Sequence, residues 1–315
     1  MHAYSFYSLI KDEKIPASEK YEKAKILIAE GGEDFQSAID LGFHVAVKEC
    51  CNDIAKLLIK HGANVNVTSA YRGTIITDAL RLKNSEIVPV LIECGVNINT
   101  PTEMGGKKDM TPLMLAVDGG FIDTAKLLLE HGAEVNLKNH HGWSALFIAS
   151  FQALRCDSYP MGLYVIDLLL EKGADVNTKD DRGNNALHFA AMYDRVDYAK
   201  KLVDYGIDIN NKNSSGLNVL MDLCAKPGLK VFKYLIDMGL DVNAKTTNGL
   251  TALMIAAGSE LPNHIELVKF LIDHGASINE KDVFGNNALK YALGNFDTEK
   301  ADLLRKHGAK IGWFK

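Results

Sequence analysis

Thr111–Trp143 reads TPLMLAVDGGFIDTAKLLLEHGAEVNLKNHHGW, and these 33 residues hold the grammar that most of the chain repeats. Thr111 can cap the orphan N–H groups at the start of a helix, and Pro112 then sits at the first helical position, where a missing N–H costs nothing. Leu113 and Ala116 lie three apart on one face, and the small Ala lets a neighbouring helix approach closely. A second helical run carries the paired Leu128 and Leu129 and stops at Gly132, because glycine adopts the left-handed conformation that other residues resist. An extended pair of residues follows, and Gly142 supplies the backbone angles of a tight turn.

Working outward, the end of the second run recurs as LLIKHGANVN, VLIECGVNIN, LLLEHGAEVN, LLLEKGADVN, KLVDYGIDIN, YLIDMGLDVN, FLIDHGASIN and LLRKHGAKIG. Its glycines are Gly62, Gly95, Gly132, Gly173, Gly206, Gly239, Gly275 and Gly308, with spacings of 33, 37, 41, 33, 33, 36 and 33. The period is therefore 33, with insertions of 4, 8 and 3 residues at 100–108, 151–162 and 258–264. The start of the first run recurs as SALFIA (Ser144–Ala149), NALHFA (Asn185–Ala190), TALMIA (Thr251–Ala256) and NALKYA (Asn287–Ala292). TIITDA at Thr74–Ala79 and NVLMDL at Asn218–Leu223 are degenerate copies.

A 33-residue unit with this signature resembles the ankyrin repeat. The resemblance runs from about Gln36 to the end and implies an all-α solenoid of paired antiparallel helices joined by hairpin-finger turns, about eight repeats long. Residues 1–35 are expected to form an N-terminal segment and capping helix and 36–315 the array. Within the former, 17–32 read as one amphipathic helix, and the first 16 residues are expected to be partly disordered. The insertions are expected in loops, and GGKK (Gly105–Lys108) as a basic flexible finger. Departures from the pattern are Leu41–Gly42 for Thr–Pro, Arg72 and Asp109 for turn glycines, and Leu223 for Ala. Trp313 and Phe314 are expected to fold back over the last helix pair. By the same resemblance, His44 and His188 hydrogen-bond neighbouring turns, whereas the histidines preceding landmark glycines, such as His131, complement the helix dipole.

Composition sets outer bounds. A net charge of -5 exerts no global pull toward nucleic acid, and no run approaches the roughly 18 apolar residues that span a bilayer. The start lacks a secretory signal, and five cysteines without a C-x-x-C pair suit free thiols in a reducing cytoplasm. No phosphate loop, dinucleotide fingerprint, zinc-protease helix or nucleophile elbow is present, so neither cofactor, metal nor enzymatic activity is expected. The adjacent Cys50 and Cys51 are expected to serve packing, and His140 and His141 to project in different directions from a finger tip.

The expected function is protein binding, by a chain that is monomeric when unbound. In ankyrin proteins the finger tips and first helices make the concave surface. Carried over residue by residue, that surface comprises Tyr71, Arg81, Lys107, Lys108, Met110, His140, His141, Trp143, Phe151, Gln152, Arg182, Asn184, Met192, Tyr193, Leu217 and Phe284. Trp143, Phe151, Met192 and Tyr193 are expected to be exposed on consecutive repeats, an arrangement suited to an interface core. The alternative is an enzyme or enzyme regulator with a small-molecule pocket at 151–164, near Cys156 and Tyr159.

Overall fold

A computed structural model describes residues 2–31, 35–67, 73–104, 107–108, 110–155, 159–224, 230–260 and 264–311. Of these, 2–4, 103–104, 107–108, 153–155, 159–161 and 223–224 are described by backbone alone. The chain divides into two compact units: Met1–Ala149 with Val165–Ala174, and Ser150–Tyr164 with Asp175–Lys315.

In the first unit, α1 (His2–Lys11) and α2 (Ala17–Glu30) precede the pairs α3 (Phe35–Lys48) with α4 (Asn52–Lys60), α5 (Ile75–Arg81) with α6 (Val88–Glu93), and α7 (Pro112–Asp118) with α8 (Ile122–Glu130). First helices stack on first helices, α3 on α5 and α5 on α7, and α6 stacks on α8. The expectation of partial disorder before residue 17 is overturned. α1 buries Phe6, Leu9 and Ile10 against α3, where burial of each such side chain contributes roughly 1.5–3 kcal/mol. This contact also accounts for Gly42. A Cβ there would lie 2.8 Å from that of Phe6, so the departure from Thr–Pro makes room for α1. α3 runs unbroken through Leu41–Gly42, giving the first copy a 14-residue first helix.

α9 (Ala145–Arg155) and α10 (Tyr159–Glu171) contribute residues to both units. They also correct the loop assignment of the longest insertion. α9 has 11 residues where α7 has 7, and α10 has 13 where α8 has 9, so the eight inserted residues lengthen the two helices.

The second unit continues with α11 (Ala186–Met192), α12 (Val196–Asp204), α13 (Val219–Cys224), α14 (Lys230–Asp237), α15 (Ala252–Ala257), α16 (His264–Asp273), α17 (Ala288–Gly294) and α18 (Thr298–Lys306). α11, α13, α15 and α17 stack in succession, as do α12 on α14 and α16 on α18. Each unit is thus an all-α solenoid of helical hairpins. The caps are as expected: Thr111, Thr251 and Asn287 accept from the N–H groups of Met114, Met254 and Lys290 at 3.2, 3.3 and 3.1 Å. Glu103–Met104 (β1) pairs antiparallel with Lys107–Lys108 (β2) as the two sides of a finger, and Gly105 and Gly106 lie outside the described residues.

Four residues after every landmark glycine except Gly308 stands an asparagine, and several of these join successive repeats. Asn243 donates from Nδ2 to the Gly275 carbonyl (3.1 Å) and accepts from the Ser277 N–H (2.7 Å). Asn66, Asn177 and Asn279 bridge in the same two-sided way to Gly95 and Asn97, Gly206 and Asp208, and Gly308 and Lys310. Each bridge satisfies one carbonyl at a helix C-terminus and one N–H in the extended segment beyond it.

His131, His274 and His307 each set Nδ1 2.8–2.9 Å from the carbonyl four residues earlier, so these side chains cap their own helix ends by direct hydrogen bonds. His188 Nε2 lies 3.4 Å from the Leu217 carbonyl of the next finger, the neighbouring turn expected, whereas His44 Nε2 meets Asp78 Oδ2 at 2.9 Å on helix α5 and not on a turn. Cys50 does not pack: it is exposed, with φ 55°, in the turn between α3 and α4. Cys51 is partly buried, and that burial raises its thiol pKa. Leu223 and the Trp313–Phe314 pair fall outside the described side chains.

Candidate protein-binding face

Finger geometry begins with an Asx turn. In the second unit, Asp180 accepts through Oδ1 from the N–H groups of Arg182 and Asn184 (3.0 and 2.8 Å), and Gly183 closes the turn. Asn213 does the same for Ser215 and Leu217 in the next finger, both at 3.0 Å. The two fingers are then tied together. Ser214 donates to the Arg182 carbonyl from both its N–H (2.8 Å) and its hydroxyl (2.6 Å), and Asn213 Nδ2 donates to Asn184 Oδ1 (3.0 Å). A Cβ on Gly183 would lie 3.0 Å from the Ser214 nitrogen, so glycine is required for the approach as well as for its φ of +79°.

Between these fingers and the first helices lies an open cleft of ≈ 450 Å³. It is lined by Asp181, Arg182 and Asn184 from one finger, Asn213, Ser214 and Ser215 from the next, and Met192 and Asp222 from α11 and α13. Arg182, Asn184 and Met192 are therefore brought together as the carried-over surface implied. Met192 is 41% exposed and its neighbour Tyr193 38%. Ser214, Ser215 and Asp222 were missed. The signal was present, since 214–215 hold the finger-tip positions that 181–182 hold one repeat earlier.

The floor of this face is polar but buried. His188 on α11 can donate from Nδ1 to Asn185 Oδ1 or from Nε2 to the Leu217 carbonyl (3.4 Å), and its Nε2 lies 3.9 Å from Asp222 Oδ2. Burial lowers its pKa, opposed by the Leu217 carbonyl, which favours the charged ring. Burial thus disfavours the charged imidazole beside Asp222.

The remaining candidates distribute differently. In the first unit, Arg81 is half-buried and donates to Thr102 Oγ1 (3.0 Å), which also accepts from the Met110 N–H (3.3 Å); Arg81 thus supports the finger. His140 and His141 do not diverge. Their ring centroids lie 3.6 Å apart, and His141–Trp143 and Trp143–Phe147 follow at 5.9 and 6.0 Å. The series runs from an exposed tip to a buried core residue, so Trp143 is half-buried, not exposed as expected. In the second unit Phe151, Gln152 and Leu217 are also half-buried, correcting the exposure expected of Phe151. Asn184 spends its side chain on Asp180 and Asn213, making it a finger strut. Phe284 stands 72% exposed at the last finger tip, beyond the residues lining the cleft. Tyr71 lies outside the described residues, and Lys107 and Lys108 are described only as backbone. Of the alternative pocket, Cys156 lies outside the described residues and Tyr159 is described only as backbone. Among the described residues no group of three or more His, Cys, Asp or Glu side chains is placed to hold a metal, and no helix is long and apolar enough to cross a membrane.

Stacked helical hairpins with glycine-turned fingers define a repeat scaffold that presents a surface. A family model of ankyrin repeats in three copies matches residues 16–102, 101–180, 159–246 and 220–312, and the chain belongs to the ankyrin-repeat family. It is similar to ankyrin repeat and SOCS box protein 11 of Danio rerio, 31% identical over 36% of each chain. It is likewise similar to Notch-regulated ankyrin repeat-containing protein B of Danio rerio, 32% identical over 28% of this chain and 80% of that one. A third similarity, 32% identical over 32% of this chain, is to glycerophosphocholine phosphodiesterase gde1 of Schizosaccharomyces pombe, of which it takes in 9%. Only about a third of the first relative's length is thus spanned. Ankyrin repeats are generally protein-interaction modules, and the family is generally non-catalytic.

Proposed function

We propose that this chain is a non-catalytic binding module that holds a protein partner on the finger and first-helix face of its second unit, the face that the family resemblance implies is concave. The observation that carries the reading is the open cleft in which Met192 stands exposed between two rigidly tied fingers. An exposed Met beside Tyr supplies apolar contact area, and the fingers need no reordering on binding because their polar groups already bond to one another. The generally interactive role of the family and the matches to other ankyrin-repeat proteins support the same reading. A reducing cytoplasmic location is part of the proposal, consistent with the exposed free thiols of Cys50 and Cys94.

The test is affinity capture with the full chain as bait, compared with Met192→Glu plus Tyr193→Ala. The control is Tyr205→Ala, which alters an exposed tyrosine at the end of α12. The face variant is expected to lose the partner and the control to retain it, with both unfolding like the parent. Equal capture by a folded face variant would refute the proposal.

A further inference from the structure

We propose that the cleft of the second unit takes a basic side chain from an extended partner segment, its aliphatic stem on Met192 and its charged head on the Asp222 and Asp181 carboxylates. This rests on the partner-binding reading above and names the chemistry of what is bound. Charge and surface point the same way. The cleft wall holds two carboxylates, Asp181 and Asp222, against the one guanidinium of Arg182, and most of its exposed area is apolar. A long basic side chain matches both, because its methylene stem covers apolar surface while its head stays with charge and water.

Asp222 separates this cleft from ordinary finger surface. It stands fifth in the NVLMDL copy, where TPLMLA, SALFIA, NALHFA, TALMIA and NALKYA place Leu115, Ile148, Phe189, Ile255 and Tyr291. Only TIITDA shares the departure, with Asp78. In both cases the preceding repeat sets a histidine opposite, and the outcomes differ. Asp78 closes on His44 Nε2 at 2.9 Å and is 8% exposed, so that carboxylate is used inside the first unit. Asp222 lies 3.9 Å from His188 Nε2, beyond hydrogen-bond reach, and keeps 26% of its side chain exposed at the cleft. His188 has Asn185 Oδ1 and the Leu217 carbonyl as its partners, and burial disfavours its charged ring. This repeat therefore gives up an apolar side chain for a carboxylate that its histidine does not hydrogen-bond.

Both carboxylates also interact within the chain, and with about four lone-pair sites each they retain capacity for a cationic donor. The finger that carries Asp181 is fixed in advance, since the Arg182 N–H bonds to Asp180 and the Arg182 carbonyl to Ser214. Little ordering is left for the moment of binding. Arg182 sets the limit on affinity, because its charge opposes a cationic head. Its removal should therefore strengthen binding, the opposite of what an acid-binding cleft would show.

The experiment uses the full chain with 13C-labelled methionine methyl groups, titrated with an acetylated and amidated leucine–arginine–leucine tripeptide. Citrulline and glutamate analogues are run in parallel, the citrulline being neutral and of the same shape as arginine. The arginine peptide is expected to shift the Met192 methyl resonance and to bind about fivefold more tightly than the citrulline peptide. Asp222→Asn and Asp181→Asn, the latter at an exposed finger tip, should each lower that preference, and the double variant should erase it with the unfolding midpoint in place. Arg182→Gln should raise it. No Met192 shift, a citrulline or glutamate peptide that binds as well, a preference unchanged in Asp181→Asn or surviving the folded double variant, or one that falls in Arg182→Gln would each overturn the proposal. An arginine preference together with partner capture that ignores the Met192→Glu, Tyr193→Ala bait keeps this site and refutes the partner-binding reading. Capture lost in that bait with no arginine preference does the reverse.

Discussion

Replacing Asn243 by alanine removes both halves of one bridge between repeats. The Gly275 carbonyl loses its donor at 3.1 Å and the Ser277 N–H loses its acceptor at 2.7 Å. Both groups lie on the exposed side of the extended segment, so water replaces part of what is lost, and each bond contributes about 0.5–1.5 kcal/mol net. The expected cost is about 1–3 kcal/mol. Because stability in a repeat array is a sum over neighbouring interfaces, this loss should be concentrated where the two repeats meet. Native-state hydrogen exchange on the full chain reads it directly. The Ser277 amide should exchange about tenfold faster, since roughly 1.4 kcal/mol corresponds to a factor of ten, while the Leu187 amide, held by Asn185 in an earlier repeat, keeps its rate. Asn243→Asp separates the two halves: it retains an acceptor for Ser277 but turns a carboxylate toward the Gly275 carbonyl. Its Ser277 amide should stay protected although the protein is destabilised in urea. An unchanged Ser277 rate in Asn243→Ala would refute the idea that these bridges hold adjacent repeats together.

Two glycines should respond differently to alanine. Gly216→Ala meets both φ +73° and a Cβ 2.7 Å from the Thr247 nitrogen and should cost about 2–4 kcal/mol, whereas Gly239→Ala meets φ +89° in open space and should cost roughly 1–2 kcal/mol; equal shifts in urea midpoint would contradict this. His188 should make the second unit acid-sensitive. Its folded pKa is lowered by burial, so the unfolded chain binds its proton more readily; the stability is present above the unfolded value of about 6.5, begins to fall below it, and is fully lost once pH passes the lower folded value. His188→Gln should flatten that part of the urea midpoint against pH, and a parallel profile for parent and variant would exclude the effect.

Sequence by itself determined the repeated unit and its local chemistry. A 33-residue period, Thr or Asn at helix starts, and glycine at helix ends and turns are short-range requirements, satisfied within a few residues of where they are written. For that reason, the caps at Thr111, Thr251 and Asn287 and the left-handed Gly62 through Gly308 series could be read directly. Contacts between separated residues could not. Gly42 looked like a flaw in the pattern until α1 was found pressed against it, and the insertion at 151–162 looked like a loop because periodicity counts residues without saying whether they extend a helix. At the candidate face, the family resemblance put the finger-tip Arg182 and the first-helix Met192 together. Which residues of that face remain exposed was decided by packing: the ladder from His140 to Phe147 half-buries Trp143, and Asp180 and Asn213 hold Asn184, while the Arg182 guanidinium has no ion-pair partner among the described residues. Exposure and pairing depend on neighbours brought close by the stacking of hairpins about 30 residues apart, and only the tertiary structure supplies those neighbours.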